Sequence, residues 1–272
     1  MYEEFYAPLP DAAAYLKRIG LAGEKPEPTL VWLEKLVHAQ LTHVPFDDMD
    51  CWGGGETPSL AIADIYDKIV VRRRGGYCFE LNSLFCALLE AVGFDCYLVT
   101  IRIVFGRGGV TPPAHCGIVC VIDGEKYFCD VGFGGPVPDG CVKYDGAVYH
   151  GYRVVRDGFF HCVQLVHDDG SADNVFLYHD IPMPRPDMIP MNFYVSQREG
   201  SVFRNVLNVN LRLPDGSVWI KGRQFALHTS TERLDRELRD LEDLAEVLER
   251  YFGIPRSAGA PMRPLDDQPG LS

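Results

Sequence analysis

Arg72-Arg73-Arg74-Gly75-Gly76-Tyr77-Cys78-Phe79-Glu80-Leu81-Asn82 is the stretch on which the reading of this chain turns. Gly75 and Gly76 can take backbone angles closed to other residues, so they predict a sharp turn. Beyond it, Leu81, Leu84, Phe85, Leu88 and Val92 recur at helical spacing, and Gly93 is placed to end the helix. Cys78 therefore falls at the first turn of an amphipathic helix. Unpaired amides and the helix dipole favour an anion there, which lowers the pKa of a thiol. The three arginines just upstream add positive potential. A reactive thiolate is expected at Cys78. Cysteine is also a small buried hydrophobe, and the chain has nine; position singles this one out.

Composition narrows the function classes. With 272 residues, 47% of them hydrophobic, the chain can build one large domain or a few smaller ones around a sizeable core. A formal charge of -12 argues against a nucleic-acid protein, which needs clustered Lys and Arg to neutralise phosphates. The start, Met1-Tyr2-Glu3-Glu4, lacks the basic and apolar regions of a signal peptide. No apolar run reaches the roughly 18 residues of a membrane span. An odd, irregularly spaced set of cysteines does not form a disulfide framework. Cys116 and Cys120 lie four apart without the paired CxxC of a zinc site, so no metal is expected. These features predict a reduced, cytoplasmic protein; a homo-oligomer stays open.

Along the chain, Asp11 caps a short helix ending near Gly20, and Thr29 opens a second that runs through Leu41. Pro45 breaks it, since a proline disfavours helix in the residue before it. Phe46 reads as core or as a pocket wall, and Asp47, Asp48 and Asp50 as solvated loop acids rather than a cation site. Ser59 to Val70 predicts another helix. From Phe94 the pattern turns to strands: Cys96 to Phe105, His115 to Ile122, Glu125 to Val131, Val148 to Val155, Phe159 to Val166 and Val175 to Tyr178. Gly106 to Pro113 and the proline-rich Ile181 to Pro190 read as loops. Val206 to Leu213 and Val218 to Leu227 suggest a last hairpin. Leu234, Leu238, Leu241, Leu244, Ala245 and Leu248 suggest the stripe of a closing helix, and the tail from Ser257 reads as disordered.

One hairpin carries the second chemical clue. With Asp123-Gly124 as a two-residue turn, Ile122 opposes Glu125, and counting back sets Asp130 opposite Gly117. His115 and Asp130 are then diagonal neighbours on one sheet face, within reach of each other. An aspartate accepting from one imidazole nitrogen would orient the ring and stabilise its charged form. Val131-Gly132-Phe133-Gly134 follows, either a plain turn or a place for close backbone approach of a ligand. A thiol at a helix start, a histidine on a strand and an acid on the next strand is the order of a cysteine-nucleophile enzyme.

Here the sequence resembles the arylamine N-acetyltransferases. The likeness rests on Arg74-Gly75-Gly76-Tyr77-Cys78-Phe79-Glu80-Leu81-Asn82, on Pro45-Phe46, on Pro113-Ala114-His115 and on Asp130-Val131-Gly132-Phe133-Gly134. It implies an α+β fold with a papain-like core. Residues 1–92 would form a helical bundle carrying Cys78, 93–200 a β-barrel carrying His115 and Asp130, and 201–272 an α/β lid. It implies that acetyl-CoA, a co-substrate and not a tightly bound cofactor, acetylates Cys78. An arylamine, arylhydrazine or N-hydroxyarylamine then takes the acetyl group, with His115 as base and Asp130 as orienting acid. Phe46, Phe133 and Phe203 would line the acceptor pocket or the CoA path, and Gly134 would let CoA approach the backbone. The family usually reads Pro-Phe-Glu-Asn where this chain has Pro45-Phe46-Asp47-Asp48, which alters local hydrogen bonding and leaves the triad intact. The same three residues would also serve an amide synthase, an acyltransferase with a longer donor, or a hydrolase. A binding protein that kept the fold would usually lack one of them.

Overall fold

The computed structural model describes residues 2–265. Asp11 accepts from the Ala14 amide at 3.0 Å and starts α1 (Ala12–Arg18); Thr29 accepts from the Trp32 amide and starts α2 (Leu30–His43). Beyond Val44 and Pro45 the chain extends as β1 (Phe46–Asp47). Next come α3 (Ile62–Tyr66), prolonged by a π turn to Val71, and α4 (Cys78–Ala91). Leu81, Leu84, Phe85, Leu88 and Leu89 of α4 are fully enclosed, so packing, not solvent, surrounds this helix. Gly93, with φ +96°, closes it as the sequence suggested.

The strands β2 (Asp95–Ile103), β3 (His115–Ile122), β4 (Glu125–Cys129), β5 (Val142–Lys143), β6 (Tyr152–Asp157), β7 (Phe160–Val166) and β8 (Ala172–Tyr178) form one antiparallel sheet. Their order is β5-β4-β3-β2-β8-β7-β6, and β5 approaches β6, so the sheet is a nearly closed barrel. Helix α4 lies against β2 and β3. Asp123 and Gly124 both have positive φ, 52° and 81°, which makes the type I′ turn whose twist suits a hairpin. It holds Ile122 opposite Glu125, the register counted from the sequence.

The chain continues through α5 (Met188–Gln197), α6 (Val202–Asn205), β9 (Asn208–Leu213), β10 (Gly216–Lys221), β11 (Gln224–His228), β12 (Arg233–Glu237) and α7 (Leu241–Phe252). A second sheet has the order β1-β9-β10-β11-β12. Leu244, Val247, Leu248 and Phe252 of α7 share a core with Val209, Val218, Ile220 and Phe225 of that sheet. Phe46 of β1 pairs with Asn210 of β9 on one side and bridges Gly76 on the other. Strand β1 thus ties the start of α4 to the second sheet. No helix among the described residues is long and apolar enough to cross a membrane.

Four local expectations fail. Leu234 and Leu238 are not on the closing helix: Arg233–Glu237 pairs with β11, and α7 begins only after Asp240, whose side chain accepts from the Asp243 amide. The proline-rich segment is not all loop, because Pro190 falls in the first turn of α5, where a missing N–H costs nothing. Val218 to Leu227 is two strands folded at Gly222 (φ 61°). Of the tail, Ser257 to Leu265 is ordered against the second core, with Ala258 and Leu265 buried; residues 266–272 lie outside the described residues.

Candidate active site

The turn before Cys78 works differently from the sequence expectation. Arg73, not Gly75 or Gly76, takes the left-handed conformation, with φ 61°. What the two glycines supply is room. A Cβ on Gly75 would stand 2.1 Å from the Pro45 carbonyl oxygen. The Gly75 amide donates to Asp47 Oδ2 at 3.0 Å, and the Asp47 amide to the Gly76 carbonyl at 2.9 Å. β1 is therefore pressed directly onto the turn.

The loop acids are not solvated. Asp47 and Asp48 are buried, and Arg74, also buried, donates to Asp47 at 2.8 Å and to Asp50 at 2.7 Å. Lys68 pairs with Asp50 at 2.5 Å and with Glu80 at 2.8 Å. Glu80 in turn accepts from the Tyr77 amide at 3.1 Å, capping α4. Burial pushes the Asp50 carboxyl up, but Lys68 and Arg74 outweigh it and hold it at about 2. Asp48 accepts from the backbone and side-chain amides of Asn208, both at 2.8 Å, fastening β9. Arg74 is thus committed to acids, and Arg72 is paired with Asp67 at 2.7 Å. Neither of these two arginines is free to add positive potential beside Cys78.

On the other side of the same helix start, His115 Nε2 lies 2.5 Å from Asp130 Oδ2. Asp130 Oδ1 accepts from Asn82 Nδ2 at 3.0 Å and from the Gly132 amide at 2.9 Å. Both His115 and Asp130 are buried. The imidazole stacks on Phe176 (centroids 5.3 Å, 27°) and meets the Phe133 ring edge-on at 5.5 Å. With Nε2 engaged, Nδ1 is the ring nitrogen left to exchange a proton. The loop after Asp130 packs on Cys78 itself: a Cβ on Gly132 would stand 2.9 Å from Cys78 Cα. Cys116, next to His115, donates its thiol to the Cys78 carbonyl at 3.6 Å.

Burial pushes the Cys78 thiol up and the Asp130 charge pushes it further, while the Phe79 amide pulls it down. The helix start does favour the thiolate, yet desolvation wins. A lone thiolate is therefore disfavoured at this position; its proton leaves most easily to a neighbour that becomes a cation.

Asn82 is the residue whose role the sequence did not reveal. One turn after Cys78 on α4, it donates to Asp130 and to the Cys116 carbonyl (2.8 Å), and accepts from the Val131 amide (3.0 Å). It locks helix, β3 and the turn after β4 together. An asparagine four places after the thiol, on the same face of the helix, was the available signal.

Phe46, Phe133 and Gly134 line one cleft of 490 Å³ between the barrel and the second sheet, together with Asn210, Trp219 and Lys221. The space that Gly134 leaves is filled by the Phe46 ring, 2.8 Å from where a Cβ would be. Phe203 is not in that cleft. It lines a neighbouring cavity of 110 Å³ with Ala114 and Tyr194, and its ring contacts Phe46 (6.0 Å) and Tyr77 (5.9 Å).

Residues 29–258 match the N-acetyltransferase family model. The chain is 31% identical over 254 residues to the arylamine N-acetyltransferase of Mycolicibacterium smegmatis, covering 90% of this chain and 92% of the relative. The chain belongs to the arylamine N-acetyltransferase family. Its fold superposes on two solved members of this acyltransferase family. One is the arylamine N-acetyltransferase of Salmonella typhimurium, with TM-score 0.83, 25% identity, and coverage of 91% of this chain and 92% of that one. The other is the Mycobacterium marinum arylamine N-acetyltransferase in complex with CoA, with TM-score 0.80, 26% identity, and coverage of 90% and 93%.

Proposed function

We propose that this acetyltransferase carries an acetyl group from acetyl-CoA to an arylamine, arylhydrazine or N-hydroxyarylamine through a thioester on Cys78, within a papain-like core. The observation that carries the reading is the His115–Asp130 pair, clamped by Asn82 and packed through Gly132 onto Cys78. The donor follows from the M. marinum relative, whose structure holds CoA.

Proton movement explains why the three residues act together. The Cys78 proton passes to His115 Nδ1, and Asp130 faces the imidazolium that forms, so the buried charge appears as a compensated set. The thiolate attacks the thioester carbonyl of acetyl-CoA. CoA leaves as a thiolate and takes the proton from His115. Sulfur replaces sulfur, so the acyl bond changes little in energy. An aromatic amine then attacks acetyl-Cys78, giving its proton to His115 as the C–N bond forms; the Cys78 thiolate departs and is reprotonated. The cleft lined by Phe46, Phe133 and Gly134 would hold the donor, and the cavity beside Phe203 the aryl ring.

Intact mass of the purified protein with acetyl-CoA and no acceptor tests this directly. One added acetyl group on the wild type, none on Cys78→Ala, and discharge of the adduct by an aromatic amine are the expected results. An unmodified wild type with CoA still acylated would overturn the acetyl-CoA reading; steady CoA release without adduct or amine would indicate hydrolysis instead.

A further inference from the structure

Five of the cysteines outside the catalytic centre gather in one part of the core. Cys86 on α4, Cys96 on β2, Cys120 on β3, Cys129 on β4 and Cys141 before β5 join one hydrophobic cluster under α4. Cys96 and Cys120 stand opposite each other in register, both as free thiols. Two turns of α4 separate Cys86 from Cys78, about 12 Å of helix.

The open end of this row is built differently from the rest. There Cys86 Sγ lies 3.7 Å from Cys96 Sγ and 3.8 Å from Glu90 Oε1, and the three donor atoms are all within 4.8 Å of one another. Cys86 is buried, Cys96 half-buried and Glu90 exposed, so the group is reached from solvent on one side. With zinc–sulfur bonds of about 2.3 Å, the edge of a coordination tetrahedron between two sulfurs is about 3.8 Å; between sulfur and a carboxylate oxygen it is about 3.5 Å. The two spacings from Cys86 already stand close to those values. Arg185 donates to the Glu90 carboxylate, with Nη2 3.0 Å from each oxygen, the kind of outer partner that orients a ligating carboxylate. Two thiolates, this carboxylate, Arg185 and a divalent cation together carry no net charge, which suits a partly buried site.

We propose that Cys86, Cys96 and Glu90 bind a thiophilic divalent cation of the zinc type, fastening the last turns of α4 to the start of β2. The fourth coordination position faces solvent. Binding takes one proton from each thiol and forms two metal–sulfur bonds, so two protons go to water for each ion bound. Because each thiol must lose its proton to bind, affinity falls as pH falls. Cys86 and Cys96 lie ten residues apart in no recognised ligand spacing; the tight turn at Gly93, between helix and strand, is what makes them neighbours.

Cadmium titration, followed by the thiolate-to-cadmium absorption in the ultraviolet and by proton release, tests the site without reading activity. Wild type and Cys78→Ala are compared, so that any metal held at Cys78 is counted separately. In Cys78→Ala the expected result is one tight ion with two thiolate bonds, two protons released, and displacement of cadmium by zinc. Cys96→Ser should halve the absorption per ion and weaken binding by more than the roughly 10- to 100-fold that loss of an outer partner costs. Glu90→Gln should weaken binding with both thiolate bonds kept. A Cys78→Ala protein with no thiolate absorption, or a Cys96→Ser protein with undiminished absorption, overturns the proposal.

Discussion

Two buried polar groups flank the first turn of α4, and they are built on opposite principles. On one side Lys68 and Arg74 are locked to Asp47, Asp50 and Glu80. Fixed cations and fixed anions face each other, and no proton has reason to move. On the other side Cys78, His115 and Asp130 include no permanent cation; positive charge appears there only when the imidazole takes a proton. The first group has the higher density of charge and reads as architecture. The second has a single committed anion and reads as chemistry. A titratable group with an unspent proton site marks function better than a concentration of charge does.

The strongest way to break this contrast is Asp130→Asn. It keeps the shape and removes the acceptor that orients His115, so acetyl transfer should fall by about 10⁴-fold, as for the orienting acid of a nucleophilic triad. Thermal unfolding should move little. Steady-state rates with acetyl-CoA and an arylamine measure it, and an activity loss below tenfold would remove Asp130 from the mechanism.

Arg74→Met attacks the other side. Asp47 would be left buried without its partner, which costs about 3–5 kcal/mol of stability. Denaturant unfolding should show that loss, while the rate per folded molecule stays close to wild type. A large fall in kcat with unchanged stability would instead make the network part of the chemistry.

Acid titration sharpens the same distinction. The Asp50 carboxyl ordinarily titrates at 3.8 and is held at about 2 in the fold. A depressed carboxyl stabilises the protein above its unfolded pKa and loses that contribution as pH falls through the folded value. The window is therefore about pH 4 down to 2, and the contribution about 2 kcal/mol. In Asp50→Asn the decline in unfolding free energy across that window should be shallower by that amount. Equal slopes for the two proteins would show that the network does not depend on this charge.

Asn82→Ala is the finest probe, because Asn82 holds Asp130 of the proposed catalytic set and itself stands outside that set. It acts as a positioning residue, and its loss should cost roughly tenfold in activity. The acid limb of the pH–rate profile should shift as well, since Asp130 would hold the imidazolium less firmly. Asn82→Asp would not restore the wild-type rate, because it replaces the donor to Asp130 with a second anion. A merely structural role would lower stability and leave the pH profile where it was.

Much of the candidate site was legible because its geometry is local. Helical spacing after Gly76 set Cys78 at the start of α4. A two-residue turn with strand alternation set His115 and Asp130 on one face, and the observed register follows that count. These rules act over a few residues, so the chain carries them in plain order. The misreadings share one cause. Asp47, Asp48 and Asp50 looked solvated because their partners Arg74, Lys68 and Asn208 lie far along the chain. Leu234 fitted a helical stripe until β11 offered its ladder. The Cys78 thiol looked depressed by its helix until burial and Asp130 reversed the balance. Sequence by itself determined which backbone carries each reactive group. Only tertiary structure decided which charges are desolvated, which are compensated, and which proton is free to move, because desolvation and pairing depend on what the rest of the chain brings within a few ångströms.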